Sequence, residues 1–118
     1  MLTIQLNHLQ FRAFHGVYEE EKINGNDFEV NVLIHYQEPE KIINQLSETI
    51  DYQKVFELIN NRMAIPTELL ETLVMEIAQA ILAQFLLAEV VFISIQKLHP
   101  PIPQLKGSVG VSYECHRH

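Results

Sequence analysis

Lys97 ends an apolar stretch of the sequence, and three prolines follow it within residues 100–103. Successive side chains of a strand alternate between two faces, so in a strand from Glu89 the lysine would continue an aliphatic face made of Val91, Ile93 and Ile95. Such a lysine either reaches to water at the strand end or is held in a pocket. Strand parity alone favours the first arrangement. The prolines restrict φ and remove backbone donors, and they favour a pocket, in which the ammonium group would be aimed at a bound molecule.

Acidic and aromatic side chains stand at three other positions where chemistry could occur. The run Glu19–Glu21 follows a turn signal, and such runs usually form a solvated surface. Glu71 falls in the first turn of a predicted helix, where a carboxylate complements the positive end of the helix dipole. Tyr52 begins another predicted helix, where an aromatic ring can fill an interface. Each of these residues therefore has an ordinary structural explanation beside a chemical one.

Metal chemistry has little support in the sequence. The chain has six histidines, but the only close pair, His116 and His118, lies at the C-terminal end. No internal pair has the spacing of one or of three to four residues that zinc sites commonly show. Cys115 is the only cysteine, which leaves no internal disulfide and no cysteine cluster. We expect no metal ion and no cofactor.

Length and charge limit the class of protein. A chain of 118 residues with 47% hydrophobic side chains can build one core, so we expect a single domain over residues 1–118. The net charge of -7 argues against nucleic acid and anionic membranes as partners, since both require a basic surface. With no signal-peptide pattern, no long apolar run and one cysteine, we expect a cytoplasmic protein.

The first half of the chain predicts an antiparallel pair of strands. From Leu2 to Ala13 the apolar positions change from even to odd numbers, which indicates a β-bulge near Asn7–His8. Residues 14–17 form a turn and residues 18–22 an acidic loop. The turn signal at residues 24–27 leads into a second strand, which places on one face Phe28, Val30, Val32, Ile34 and Tyr36.

Two helices and two further strands complete the prediction. A short helical turn is expected within residues 40–46, and Asp51 is a plausible N-cap for a helix from Tyr52 to Met63. A second helix follows Pro66, with Thr67 as its cap, and runs to about Phe85. Its apolar stripe consists of Leu70, Leu73, Val74, Ile77, Ala78, Ile81 and Phe85, while the helix before it turns Val55, Phe56 and Ile59 to one side.

A last strand, Ser108–Cys115, follows the lysine strand, and Gly107 and Gly110 suggest a close approach at its start. The fold class is α+β, in the order β-β-α-α-β-β, with a four-stranded, largely antiparallel sheet and two helices on one face. Free edges on so short a chain favour pairing between subunits, so we expect a cyclic homo-oligomer whose sheets close into a barrel.

Several segments, kept in order and spacing from about Leu2 to Glu114, resemble one known family. They are Phe14-His15-Gly16-Val17, Glu21, Asp51-Tyr52-Gln53-Lys54-Val55-Phe56, Leu69-Leu70-Glu71-Thr72-Leu73 with Ile77-Ala78, Lys97 with Pro101-Ile102-Pro103, and Ser108-Val109-Gly110-Val111. The family is that of dihydroneopterin aldolase in folate biosynthesis. The resemblance implies the tunnelling fold, in which four subunits close a barrel, two rings stack into a homo-octamer, and active sites lie between subunits.

The resemblance also implies roles for individual residues. Lys97 matches the family's catalytic lysine and Tyr52 the tyrosine supplied by a neighbouring subunit. Glu21 matches the loop glutamate, with Glu20 as the competing choice.

The pterin substrate would be anchored by Glu71, whose carboxylate can accept two parallel hydrogen bonds from the ring. Free backbone amides around Leu70 to Leu73 could donate to the ring oxygen. Backbone contacts from Ile50 and Asp51 would complete the binding site.

The implied activity is a lyase reaction: retro-aldol cleavage of dihydroneopterin to hydroxymethyl-dihydropterin and glycolaldehyde, with epimerisation as a side reaction. The carbon–nitrogen double bond of the dihydropterin can accept the electrons, so neither a metal nor a lysine Schiff base is required. Two alternatives stay open. The first is a dihydroneopterin triphosphate epimerase, against which the acidic loop argues. The second is a non-catalytic tunnelling-fold binding or scaffold protein.

Overall fold

A computed structural model describes all 118 residues, which form a four-stranded antiparallel sheet and two main helices. The strands β1 (Leu2–Ala13), β2 (Asn26–Tyr36), β3 (Val90–Lys97) and β4 (Val109–His116) lie in this order across the sheet. A short helix, α1 (Glu19–Asn24), joins β1 to β2, and the connection from β2 to β3 contains α2 (Tyr52–Met63) and α3 (Leu70–Gln84). The predicted α+β element order is confirmed, with α1 added.

The helices α2 and α3 cover one face of the sheet, because the strands place apolar side chains there at every second position. Seven strand residues of this face are fully buried: Phe28, Val30, Val32, Ile34, Val91, Ile93 and Ile95. Each such side chain contributes roughly 1.5–3 kcal/mol by leaving water. Lys97 is the next residue on the same face of β3, so the apolar core ends at this lysine.

The predicted bulge in β1 is confirmed. The pairing of β1 with β2 shifts between Leu6 and Leu9, and His8 within it adopts a φ of 55°. The backbone N–H of His8 donates to Oδ1 of Asn31 at 2.8 Å. The bulge thereby returns the apolar positions on both sides of it to the covered face.

The helix α2 begins where the sequence predicts. Oδ1 of Asp51 accepts a hydrogen bond from the backbone N–H of Gln53 at 3.0 Å, as expected for an N-cap. Val55 and Ile59 are fully buried, whereas Phe56 is 39% exposed and stacks on Phe11 of β1.

The prediction that Thr67 caps α3 is wrong, because α3 begins at Leu70 with Leu69 at the N-cap position. The hydroxyl of Thr67 donates instead to the carbonyl of Ile65 at 3.0 Å. The helix ends at Gln84, one residue before the predicted end at Phe85.

Three other local predictions need correction. The acidic segment 18–22 is not a loop, because residues from Glu19 onward form α1, whose first turn carries three glutamates that complement its dipole. The helical turn expected within residues 40–46 lies at Leu46–Glu48. A Cβ on Gly107 would have no atom within 4 Å, whereas one on Gly110 would lie 2.9 Å from Cγ of Gln96, so only Gly110 marks a close approach.

The monomer is elongated, with principal extents of 54 × 25 × 24 Å and a radius of gyration of 15.7 Å. A compact chain of this length would have a radius of gyration of about 13.5 Å. The outer strands β1 and β4 each leave one edge unpaired within the chain. None of the helices combines the length and the apolar composition needed to cross a membrane.

Candidate active site

Lys97 and Glu21 form an ion pair at the end of the core. Nζ of Lys97 lies 2.5 Å from Oε1 of Glu21, and the two side chains are 11% and 6% exposed. Lys97 arrives there as the last residue of β3, and Glu21 as the third residue of α1. The arrangement is therefore the pocket, and not the extension to water that strand parity alone favours.

The start of α1 explains why Glu21, and not Glu20, makes this contact. Oε2 of Glu21 accepts a hydrogen bond from the backbone N–H of Tyr18 at 3.2 Å, which is the reach of an N3 glutamate back to the N-cap. That bond turns Glu21 inward, while Glu20 stays exposed. A Cβ on Gly16 would lie 2.1 Å from Oε2 of Glu21, so the chain can pass this carboxylate only with a glycine.

Glu21 is a carboxylate at neutral pH. Burial of the carboxyl group raises the pKa of Glu21, but the hydrogen bonds from Lys97 and from the Tyr18 backbone, together with the charge of Lys97, outweigh burial and hold the pKa below its ordinary value. The carboxylate in turn holds the ammonium group in a fixed position. Lys97 can thus deliver a proton to a bound molecule from a defined point.

A cavity of about 520 Å³ opens beside this pair. Its walls come from the start of α1 with Tyr18 and Glu20, from Glu68 before α3, and from the loop that contains Pro100, Pro101, Ile102 and Pro103. The stiff loop therefore forms one wall of the pocket. The volume suits a small heterocycle, and such pockets range from about 300 to 1,000 Å³.

His15 ties the Glu21 segment to the start of α3. Its place beside Gly16 indicates a hydrogen-bonded turn residue, but the turn signal does not predict its distant partner. Nδ1 of His15 accepts a hydrogen bond from the backbone N–H of Thr67 at 3.1 Å, and the N–H of Gly16 donates to the carbonyl of Thr67 at 3.0 Å. His15 is fully buried and packs edge-on against Phe28. Burial, with a smaller contribution from the charge of Arg62, lowers the pKa of His15 to about 4. The imidazole is neutral at pH 7 and can serve as the acceptor.

The start of α3 offers free amides but no direct wall of the cavity. The first α3 amide with a helical bond is that of Leu73, which donates to the carbonyl of Leu69 at 3.4 Å. Free donors are therefore confined to the turn before Leu73, and the expectation for the Leu73 amide is corrected. Leu70 and Leu73 are buried in the core, and Glu71 is exposed. The glutamate that lines the cavity from this segment is Glu68.

Residues 50–52 lie at the opposite end of the molecule. Asp51 borders a groove together with Gln84 and Phe85, at the C-terminal end of α3, whereas Glu71 lies in its first turn. With a rise of 1.5 Å per residue, the ends of this helix are about 21 Å apart. Ile50 is buried, and Tyr52 is 67% exposed on the surface. Within one chain, the structure brings Lys97 and Glu21 together but does not bring them to Tyr52.

The histidines do not assemble into a metal site. No three side chains of the types His, Cys, Asp and Glu lie close enough together to share a metal ion.

The sequence is similar to known proteins over nearly its whole length. The family model for dihydroneopterin aldolase matches residues 4–114. A dihydroneopterin aldolase of Streptococcus pyogenes is 28% identical over 99% of this chain and 100% of its own.

Solved structures share the fold. The Escherichia coli dihydroneopterin aldolase in complex with neopterin superposes with a TM-score of 0.85 at 20% identity, over 98% of this chain and 99% of that one. The Burkholderia thailandensis enzyme bound to guanine gives a TM-score of 0.78 at 19% identity, over 99% and 92% of the two chains. With the family model matching nearly its full length, this chain belongs to the dihydroneopterin aldolase family.

Proposed function

We propose that this protein is a lyase that cleaves dihydroneopterin by a retro-aldol reaction and releases hydroxymethyl-dihydropterin and glycolaldehyde for folate biosynthesis. The observation that carries the proposal is the buried Lys97–Glu21 pair beside a cavity of heterocycle size, in a chain of this family. The E. coli neighbour binds neopterin and the Burkholderia neighbour binds guanine, two fused nitrogen heterocycles.

The reaction needs a base for one hydroxyl proton and a place for one electron pair. Loss of the proton from the second side-chain hydroxyl lets its carbon become the carbonyl carbon of glycolaldehyde, as the bond to the first side-chain carbon breaks. The electron pair moves into the carbon–nitrogen double bond of the ring and gives an enol-like intermediate. A proton added to the first side-chain carbon then yields the hydroxymethyl product.

Lys97 is the proposed handler of these protons, directly or through water, because its side-chain nitrogen faces the cavity from a fixed position. Its ammonium group gives a proton to the ring nitrogen that receives the electron pair, and the amine left behind takes the hydroxyl proton, so the lysine ends the step as it began it. Glu21 holds that group through the buried ion pair. Tyr52 of a neighbouring subunit is the proposed donor of the proton to the intermediate. An ammonium group in a largely dry pocket also stabilises negative charge that develops on the ring nitrogen.

The proposed pterin anchor is the first turn of α3. The Glu71 carboxylate can accept two parallel hydrogen bonds from the ring amino group and its adjacent N–H. The free amides between Leu70 and Leu73 can donate to the ring oxygen. Ile50 and Asp51 of the neighbouring subunit would add backbone contacts on the other side of the ring.

A subunit interface is the proposed way in which the two halves of the site meet. Lys97 and Tyr52 lie at opposite ends of each chain, so only a second copy can place Tyr52 at the lysine. The elongated shape and the free edges of β1 and β4 support closure of four sheets into a barrel. Exposed apolar residues near the cavity, Val17, Tyr18, Ile102 and Val109, are suited to contact a neighbour. We propose two stacked rings of four, a homo-octamer.

The test is the release of glycolaldehyde from dihydroneopterin by the purified protein, followed by chromatography of the pterin products. We expect hydroxymethyl-dihydropterin in equal amount to glycolaldehyde. Dihydroneopterin triphosphate should react far more slowly, because Glu20 and Glu68 place carboxylates at the cavity. Epimerised triphosphate without cleavage would identify the epimerase, and pterin binding without any product would identify the non-catalytic alternative.

A further inference from the structure

Asn26 makes a two-point contact with the loop that follows Lys97. It is the first residue of β2, and it is 6% exposed. Its Nδ2 donates to the backbone carbonyl of His99 at 2.7 Å, and its Oδ1 accepts from the backbone N–H of His99 at 3.1 Å. The side-chain amide of Asn26 thus makes the two hydrogen bonds with the His99 backbone that a neighbouring strand would otherwise make.

This contact lies just beyond the regular ladder of β2 and β3. The last paired residues are Phe28 and Lys97, and the N–H of Leu98 then donates to the carbonyl of Asp27 at 2.9 Å. Asn26 adds the next rung from its side chain. The backbone is therefore held on both sides of the point where β3 becomes the proline loop.

His99 lies in the chain between Lys97 and the prolines that form a wall of the cavity. Lys97 precedes His99 by two residues, and Pro100 and Pro101 of the cavity wall follow it directly. A shift of His99 would move the lysine backbone and the wall together.

We infer that Asn26 is a positioning residue for the retro-aldol reaction, which sets the place of the Lys97 ammonium group by clamping the backbone of His99. The inference rests on the proposed function only for its effect on turnover. An amide is required at this position because one planar group must both donate to a carbonyl and accept from an N–H.

The substitution Asn26→Asp isolates the donor, because it keeps the shape and the acceptor but removes Nδ2. The carboxylate would face the His99 carbonyl without a hydrogen atom between them. We expect kcat to fall about 10–100-fold, the scale of a small misplacement, while the Kd of neopterin changes less than threefold. Asn31→Asp is the matched control on the same strand, since it adds the same charge and keeps the acceptor for the N–H of His8.

The pH profile separates positioning from general damage. A protonated carboxyl group can donate to the His99 carbonyl again, so the ratio of N26D activity to unaltered activity should rise towards acidic pH. The charged and titratable groups around this position are Glu20, Glu21, Asp27, Arg12, Lys97 and His99. The three carboxyl groups favour the protonated form of a carboxyl group introduced at position 26, and the three basic groups oppose it. A ratio that stays constant with pH would mean that the loss is structural and would overturn the inference.

A second measurement needs no substrate and separates this inference from the proposed function. Amine labelling followed by mass spectrometry should show Lys97 reacting several-fold faster in N26D than in N31D and the unaltered protein. Equal rates would overturn the inference even if cleavage is found. Faster labelling would support it even if no glycolaldehyde is released, an outcome that would defeat the proposed function. If N26D fails to fold, hydrogen exchange of the His99 amide in the unaltered protein takes its place as the test. Slow exchange would support the hydrogen bond to Asn26, and rapid exchange would overturn the inference.

Discussion

Nζ of Lys97 lies 2.5 Å from Oε1 of Glu21, although 76 residues separate them in the chain. Both side chains are almost completely shielded from water. A buried pair of this kind is costly to break on one side only, because the remaining charge loses its partner. The same shielding makes a charged group effective towards a substrate, since few water molecules compete with it.

Replacing the lysine should abolish turnover and spare binding. For Lys97→Met we expect the cleavage rate to fall about 10²–10⁴-fold, the usual contribution of a positioned acid or base. The Kd of neopterin, measured by fluorescence, should change little, because the proposed anchor at α3 is intact. Lys106→Met removes an exposed lysine and is the control. Cleavage that survives in K97M would refute the proposed mechanism.

Replacing the proposed anchor should give the opposite pattern. Glu71→Gln keeps the shape of the side chain but removes the charge that strengthens both hydrogen bonds to the ring. We expect pterin affinity to drop about 10–100-fold, as for the loss of one charge-assisted contact, with kcat at saturation within a few-fold. Glu57→Gln, an exposed glutamate of α2, is the control in the same titration. Unchanged affinity in E71Q would exclude Glu71 as the anchor.

Mixing two inactive variants tests whether the site is shared between subunits. Lys97→Met and Tyr52→Phe should each be inactive alone, since each lacks one group of every site. After dissociation and random reassembly in equal amounts, a site takes an intact lysine and an intact tyrosine with a chance of about one half each. About a quarter of the original activity should therefore return.

The control for this mixture is Lys97→Met with Glu21→Gln. Both positions lie on the same chain and belong to the same half of the site, so no reassembled site can be intact. Recovery in the control, or its absence in the test mixture, would show that the site is not built as proposed.

His15 should make the protein unstable in mild acid. Its folded pKa of about 4 lies below the ordinary 6.5, so between these values the unfolded chain binds more protons and protonation favours unfolding. The free energy of unfolding should fall by up to about 3 kcal/mol as the pH drops through this window. The pKa of Glu21 is also lowered, so protonation of Glu21 reduces the free energy of unfolding further, but only at a pH below the ordinary pKa of a carboxyl group.

Asn in place of His15 is the informative variant. An Asn oxygen can accept from the Thr67 N–H without titrating, so His15→Asn should show a flatter decline between pH 6.5 and 4 in denaturant unfolding at fixed protein concentration. His15→Leu leaves that N–H without a partner and should cost about 1–3 kcal/mol at every pH. His118→Asn, at the exposed end, should leave the profile unchanged. An identical slope in H15N and the unaltered protein would contradict the assignment.

Local patterns predicted most of the fold, because they depend on neighbours in sequence. The alternation through Ile95 placed Lys97 on the covered face, the change of parity located the bulge at His8, and Asp51 capped α2 as expected. The same rules failed at Thr67, whose backbone N–H is taken by His15, 52 residues away. The position of an N-cap depends on the tertiary contacts around the helix end as well as on the residue type.

The supporting contacts of the site could not be read from the sequence. Asn26 looked like a turn residue, yet its amide reaches His99, 73 residues further along the chain. Glu21 belonged to a run that is usually solvated, and its bonds to the Tyr18 backbone and to Lys97 hold it inward. Long-range contacts between a side chain and a distant backbone leave no periodic trace, so they emerge only from the folded arrangement.

Because Lys97 and Tyr52 lie at opposite ends of the same chain, we expect dilution of the protein alone to lower its activity. In the proposed octamer, turnover per subunit would decline once the rings separate. A substrate bound between two copies would oppose that separation by mass action. A small molecule that separates the subunits at the proposed interface could inhibit this protein without occupying the proposed pterin pocket.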